Sequence, residues 1–365
     1  MILMKILVIT NSSRGLYSFR KELLEDFINK GNKVYCITNY SGNEKELCNL
    51  GCKLLRVTID RRGINPISDF KIIVKYIILI GKIKPDKVIT YTIKPNIYGG
   101  FACNLKRIPM YANVTGLGTA FQGDGLLTKI VTLMYKIAFK KVKKVFFENE
   151  ENRDIIVNKG IIDKTRTHCL SGAGVNLEEY TFATYPNNGT IRFLFIGRIM
   201  KEKGVDELFQ TVERLKSEGA DIVVDVVGPF EDHYEDKINE LDKSMIINYH
   251  GYQSDVRPFI RQAHCFVLPS YHEGMANTLL ESGAMGRPLI TSNIHGCLEA
   301  VEDGKTGYLC KVKDADDLYI KMKQFIELPY EKKKKMGQLS HEHVANVFDK
   351  RKVVTETIRE IMRYE

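Results

Sequence analysis

The sequence predicts an α/β protein made of two doubly wound parallel-sheet domains. Three observations carry this expectation. Short β-rich apolar runs alternate with longer helical patterns along most of the chain. The length, 365 residues, exceeds what one core usually holds and suits two domains of ordinary size. The stretch 181–190, TFATYPNNGT, interrupts the alternation with no periodicity and with Pro, Asn and Gly together. The expected division is a first domain over 1–175, a linker over 176–190 and a second domain over 191–349. The terminal helical segment, 350–365, is expected to pack back on the first domain.

Composition narrows the class. With 44% hydrophobic and 27% charged residues the chain is globular, and no apolar run reaches the length of a membrane span, which needs about 18 residues or more. The opening MILMKILVIT has Lys5 inside its apolar run and no small-residue cleavage site, so it reads as a first strand and not a signal peptide. The eight cysteines are scattered, and Cys48 and Cys52 lack metal-ligand spacing. A reducing cytoplasm is expected, and the sequons at Asn11, Asn113 and Asn188 are expected to carry no glycan. Charge is uneven: residues 1–190 hold 29 Lys and Arg against 16 Asp and Glu, residues 191–365 hold 25 against 29, and residues 61–144 alone hold 16 against 3. So local an excess suits an anionic partner, whether a membrane surface, a diphosphate or nucleic acid. No helix-turn-helix, zinc or RNA-binding signature accompanies it, and Trp is absent.

In the first domain, strands are expected at 5–10, 33–38, 87–92, 110–115 and 144–148. The first strand leads into a loop holding Gly15 and then a helix ending near Gly31. G-x-G-x-x-G is missing there, which weighs against a dinucleotide-dependent oxidoreductase. RRGINP (61–66) precedes FKIIVKYIILIGKIKP, read as a crossover helix buried on one side. ANVTGLGTAFQGDG (112–125) is a Gly-rich loop in which Asp124 is the one acid near a motif, read first as a turn residue. The helix that follows combines an apolar row (Leu126, Ile130, Leu133, Met134, Ile137) with Lys129, Lys136, Lys140, Lys141, Lys143 and Lys144. Such a row suits either a core-facing helix or one resting on anionic lipid, and the core-facing reading is the more ordinary.

The second domain opens with RFLFIGRIM, a helix from Val205, DIVVDVVG, a strand near 246–249, HCFVLPS and LITSN. Its centre is SYHEGMANTLLESGAMGRP (270–288). Here a buried strand stops at Pro269, a loop carries Glu273 and Gly274, and a helix of roughly three turns starts near Ala276 and stops at Gly286. Its N-terminus is expected at the carboxyl edge of the sheet, where phosphorylated ligands bind. Glu273 at that mouth, with Glu281 on the face of Asn277, suits neutral hydroxyls such as those of sugar and ribose. Isolated glutamates eight apart are otherwise ordinary solvated side chains.

GRIMKEKG after the first strand of the second domain, EGMANTLLE after a later one, SGAGVNLEEY at the junction and GCLEAVEDGKTGYL (296–309), in that order, resemble the retaining GT-B glycosyltransferases of family 4. LYSFRKEL and ANVTGLGTAF look closest to bacterial transferases that extend lipid-diphosphate-linked or surface-polysaccharide sugars. The resemblance covers nearly the whole chain. It implies two Rossmann-like domains facing across a cleft. It also implies that Arg198 and Lys203 hold the donor diphosphate, Glu273 the hydroxyls of the transferred sugar and Glu281 the ribose. Backbone around Gly274, Met275, Ala276, Asn277 and Thr278 would face phosphate, and Gly15 would let the first-domain loop approach it. One departure stands out: relatives often have a histidine where this chain has Asn113-Val114-Thr115-Gly116. Thr115, Gly116 and Gly118 become the acceptor-side candidates, but Thr115 is no base near neutral pH. The implied course is then a front-face retaining displacement in which the leaving diphosphate takes the proton.

No metal site is expected; Asp314, Asp316 and Asp317 read as a helix cap. The implied activity is transfer from a nucleotide sugar, a UDP-sugar, to a saccharide that is polyprenyl-diphosphate linked or free. The enzyme would need no cofactor and would work peripherally on the cytoplasmic face, its basic 61–144 region on the membrane. An epimerase or hydrolase on the same fold is the competing reading, and a nucleic-acid-binding protein a more distant one.

Overall fold

The computed structural model describes residues 3–60, 65–118, 121, 123, 125–187 and 189–363; Arg61, Arg62, Asp124 and Asn188 lie outside them. The chain forms two compact units, residues 1–173 with 351–365, and residues 174–350.

The first unit holds a seven-stranded parallel sheet: β1 (Lys5–Ile9), β2 (Lys33–Thr38), β3 (Lys53–Arg56), β4 (Lys87–Tyr91), β5 (Met110–Val114), β6 (Lys144–Phe147) and β7 (Thr167–Cys169), in the order β3-β2-β1-β4-β5-β6-β7. The second holds six parallel strands: β8 (Ile191–Ile196), β9 (Ile222–Val227), β10 (Asn248–Tyr249), β11 (Cys265–Leu268), β12 (Leu289–Ser292) and β13 (Gly307–Cys310), in the order β10-β9-β8-β11-β12-β13. Two edge strands, β3 and β7, escape the sequence pattern because they are short and only half-buried, as edge strands commonly are. The strand expected over 246–249 shrinks to two residues at one edge of the second sheet.

Alternation along β1 shows how the first core is made. Leu7 and Ile9 face one helical layer, while Ile6 and Val8 face the other. The first layer consists of the helices Pro66–Ile83, Ile93–Lys106 and Leu126–Ala138, which deliver Tyr76, Ile80, Ile97, Ala102, Tyr135 and Ala138 to the core. The second includes Ser13–Asn29 and the terminal helix Lys350–Met362, whose Val353, Ile358 and Ile361 pack with Ile6 and Val8. Polar contacts fix that last helix: Lys87 Nζ donates to the Ile361 carbonyl at 3.0 Å and Lys144 pairs with Glu360 at 3.4 Å.

One packing expectation is reversed. In the helix Leu126–Ala138 the buried residues are Thr128, Tyr135 and Ala138, while Leu126, Ile130, Leu133 and Ile137 stand in solvent. The physical reason is a close approach: at Gly100 of the neighbouring helix a Cβ would lie 2.7 Å from that of Ala138, so the helix is drawn in on its small-residue side. The apolar row is left outside except for Met134, which is half-buried against the core.

The stretch expected as a linker packs on the second unit. Arg287, wholly buried, donates to the carbonyls of Ala183 and Thr184 at 3.0 and 3.1 Å, and the Tyr185 hydroxyl donates to the His264 carbonyl at 2.9 Å.

Candidate functional site

Each sheet reverses its strand order at one place, between β1 and β4 in the first unit and between β8 and β11 in the second. At such a point the turns leaving the carboxyl ends of adjacent strands diverge and leave a crevice, the usual ligand position in open α/β sheets. The two motif loops of the second unit, 197–204 after β8 and 269–276 after β11, leave from that place.

These loops are held together before any ligand arrives. The Tyr271 amide donates to the Glu202 carbonyl at 2.9 Å. Gly204 takes φ +71°, and a Cβ on it would lie 2.0 Å from the Pro269 carbonyl oxygen, so the approach admits no side chain. Across this junction Lys203 Nζ reaches Glu273 Oε1 at 2.5 Å, and the wholly buried Ser270 donates its hydroxyl to the same oxygen at 2.8 Å. Glu273 is therefore a fixed acceptor with its charge partly balanced. Arg198 pairs with Glu231, from the loop after β9, at 3.2 Å, and about a third of its side chain is exposed. The diphosphate-binding candidates thus sit at the carboxyl ends of β8 and β11, each cation held by a carboxylate.

The helix after Glu273 is shorter than expected, Asn277–Ala284, with Ala276 extended at its cap. It ends where Gly286, at φ +78°, turns the chain and the Arg287 amide bonds back to the Ser282 carbonyl at 3.0 Å. Of the amides expected to face phosphate, that of Ala276 is instead taken by the Gly296 carbonyl at 2.9 Å. Gly296 itself fits under Glu273 and Gly274, where a Cβ would fall 2.7–2.8 Å from their carbonyl oxygens. Gly274, Met275 and Ala276 are buried in this crossing, while Asn277 and Thr278 are half-buried at the helix start, which no side chain caps. Asn277 Oδ1 is enclosed with no hydrogen-bond partner.

Glu281 lies one turn on. Burial pushes its carboxyl up to about 7; Lys350 opposes the rise, Glu179 adds to it, and a hydrogen bond from Tyr180 opposes it. Tyr180 is in turn raised, first by its own burial and then by Glu281. Ser270, Glu231, Tyr180 and Lys350 are the neighbours that motif spacing did not single out. Ser270 lies inside the 270–288 stretch and Tyr180 ends the junction phrase SGAGVNLEEY, but Glu231 and Lys350 meet the site through folding alone.

In the first unit Thr115, Gly116 and Gly118 follow β5, with Gly116 and Gly118 at φ +142° and +60°. The loop is anchored by a buried network in which Thr90 Oγ1 donates to Asn96 Oδ1 at 2.6 Å, Asn96 to the Asn113 carbonyl at 2.9 Å and Asn113 to the Thr90 carbonyl at 3.2 Å. Asn113 is 4% exposed, which leaves no room for a glycan. The loop expected to hold Gly15 is helix instead: Gly15 lies in the first turn of Ser13–Asn29, its amide bound to the Ser12 hydroxyl at 3.0 Å, because Ser12 caps the helix. A residue that sequence reading missed is Thr92, at the carboxyl end of β4. Its φ of +74° with ψ of 164° is backbone nearly reserved for glycine, and its hydroxyl is enclosed without a partner. Asp314 Oδ1 accepts from the Asp317 amide at 2.9 Å and so caps the helix Ala315–Glu327.

Two parallel sheets wound in this order, the second with its cation–carboxylate cluster at the reversal point, define a protein of the GT-B class. Family models agree in both halves: glycosyl transferases group 1 matches residues 178–343 and glycosyl transferase 4-like matches residues 5–149. The chain belongs to these glycosyltransferases and is a glycosyltransferase by activity. It is 25% identical over 342 residues, 89% of this chain and 90% of the other, to the N,N'-diacetylbacillosaminyl-diphospho-undecaprenol α-1,3-N-acetylgalactosaminyltransferase of Campylobacter jejuni. It is 27% identical over 278 residues, 70% of each chain, to the UDP-Gal:α-D-GlcNAc-diphosphoundecaprenol α-1,3-galactosyltransferase of Escherichia coli. Among solved structures, HepE of Anabaena in complex with UDP and glucose superposes with a TM-score of 0.81 at 14% identity over 99% of this chain and 100% of that one, a likeness of fold.

Proposed function

We propose that the protein moves a sugar from a UDP-sugar to a saccharide carried on a polyprenyl diphosphate, with retention of configuration, during synthesis of a bacterial surface glycan. The names of the Campylobacter and Escherichia relatives support the acceptor class, and the second also supports the donor. The observation that carries the reading is the Lys203–Glu273 pair at the reversal point of the second sheet, with Ser270 fixing the carboxylate.

The roles follow from charge and position. Arg198 and Lys203 neutralise the donor diphosphate, exchanging a carboxylate for a phosphate oxygen. Glu273 accepts hydrogen bonds from hydroxyls of the transferred sugar, and Glu281 from those of the ribose. The amides at the start of Asn277–Ala284 face the distal phosphate. The acceptor oxygen bonds to the anomeric carbon on the face from which the diphosphate departs. Its proton passes to a departing phosphate oxygen, so no side-chain base is needed from the Thr115–Gly118 loop. The enzyme needs no cofactor. It works on the cytoplasmic face of the membrane holding its acceptor, peripherally bound through residues 61–144.

Glu273→Ala and Arg198→Ala, both with wild-type circular dichroism, are expected to lower transfer by about a hundredfold or more. Wild-type rates in either variant contradict the assignment. Rapid consumption of donor without acceptor would instead indicate a hydrolase or epimerase.

A further inference from the structure

The first unit carries two apolar rows that its own core does not use. On the helix Pro66–Ile83 the core takes Ile72, Tyr76, Ile80 and Ile83. Ile67, Phe70, Val74 and Ile78 stand in solvent, Ile67 and Phe70 being 71% and 65% exposed. At about 100° per residue the exposed four fall within an arc of about 80°, diametrically opposite the buried four, with Lys71, Lys75 and Lys82 along one side. The helix Leu126–Ala138 repeats the plan. Leu126, Ile130, Leu133 and Ile137 form an outward arc, with Leu126 75% and Leu133 59% exposed, and Lys129 and Lys136 flank it. Both helices lie in one layer on the same face of the sheet, on either side of Ile93–Lys106, which adds exposed Leu105, Lys106 and Arg107.

Exposed apolar surface of this extent on one face marks an interaction site. Its rim selects the partner. Of the described acids in this region, Asp69 is paired with Lys94 at 2.8 Å, which leaves Asp86 alone against the exposed lysines, and these dominate the field. No helix among the described residues is long and apolar enough to cross a membrane. An apolar row flanked by lysines on a helix that does not span is the pattern of an interfacial helix.

We infer that these two helices form one membrane-docking face, inserting Ile67, Phe70, Val74 and Ile78 together with Leu126, Ile130, Leu133 and Ile137 into the headgroup boundary of an anionic bilayer. The lysines beside them contact lipid phosphates, and the Thr115–Gly118 loop, which lies between Ile93–Lys106 and Leu126–Ala138 in the chain, is brought to the membrane that holds the acceptor. This deepens the membrane reading of the proposed function, and it is read out independently of donor chemistry.

The test is flotation of the full chain with phosphatidylglycerol-containing and with pure phosphatidylcholine vesicles, for wild type, Ile130→Glu/Leu133→Glu and Phe70→Glu/Val74→Glu. Wild type is expected to bind anionic vesicles about tenfold better than neutral ones and to keep part of that binding in about 0.5 M salt, because insertion is not screened. Each double variant is expected to bind about tenfold less while keeping the wild-type thermal shift with a UDP-sugar. Undiminished vesicle binding by either variant overturns the inference, as does equal wild-type binding to both lipids. So does a wild-type dimer in light scattering that ignores vesicles and becomes monomeric on substitution, since the face would then cover a second copy. Vesicle binding by a protein that shifts with no nucleotide sugar leaves this face standing and contradicts the donor reading.

Discussion

At the scale of single residues, Glu281 makes the sharpest demand on conditions. Its carboxyl, raised from 4.5 to about 7 chiefly by burial, is protonated in the ligand-free fold at mildly acidic pH. A group whose folded pKa is raised contributes most to stability below its unfolded pKa, and loses that contribution as pH rises through the folded one. The contribution of Glu281 is therefore expected to be lost between about pH 4.5 and 7, so that wild type loses stability relative to Glu281→Gln over that window, as followed by urea denaturation of both proteins at several pH values. Ribose hydroxyls, in contrast, donate to the ionised form. Binding of a UDP-sugar should strengthen as pH rises toward 7 and release a proton near pH 6, which calorimetry in buffers of differing ionisation enthalpy detects. A pH-independent affinity identical in Glu281→Gln would separate this carboxylate from the donor.

At the scale of elements, two loops and a helix decide the site. The approach of Gly204 to Pro269 permits no Cβ. Gly204→Ala is therefore expected to cost about 2 kcal/mol or more, or to part the loops and separate Lys203 from Glu273. Denaturant unfolding with a UDP-sugar titration of the folded fraction checks it, and unchanged stability with unchanged binding would contradict it. Glu273, Glu281, Arg198 and Lys203 were legible because each belongs to a short strand–loop–helix phrase whose local geometry the chain itself dictates. Glu231 was not: its contact with Arg198 joins loops after different strands, and no local pattern encodes it. Nor was the direction of Leu126–Ala138 legible. Both of its faces are apolar enough to serve as core, and the choice falls to Gly100, whose lack of a Cβ admits Ala138.

At the scale of the molecule, the alternation of strands and helices carried the fold class because parallel strands buried on both faces read as near-continuous apolar runs. It could not carry the edges, where β3, β7 and β10 are short and partly solvated. The uneven charge also has a structural address: the lysine excess of 61–144 flanks exposed apolar helices of the first unit, while the net-acidic second unit holds Arg198 and Lys203 in pairs with Glu231 and Glu273. This division of labour, a donor clamp in one unit and a basic face in the other, is the central claim. It is tested most directly by titrating UDP-sugars into Arg198→Ala and Ile130→Glu/Leu133→Glu by calorimetry at one pH and ionic strength. The account predicts that Arg198→Ala, deprived of a charged contact to the diphosphate, binds roughly 30-fold more weakly, about 2 kcal/mol, while the membrane-face variant binds as wild type does. Wild-type affinity in Arg198→Ala, or an equal loss in both, would contradict it.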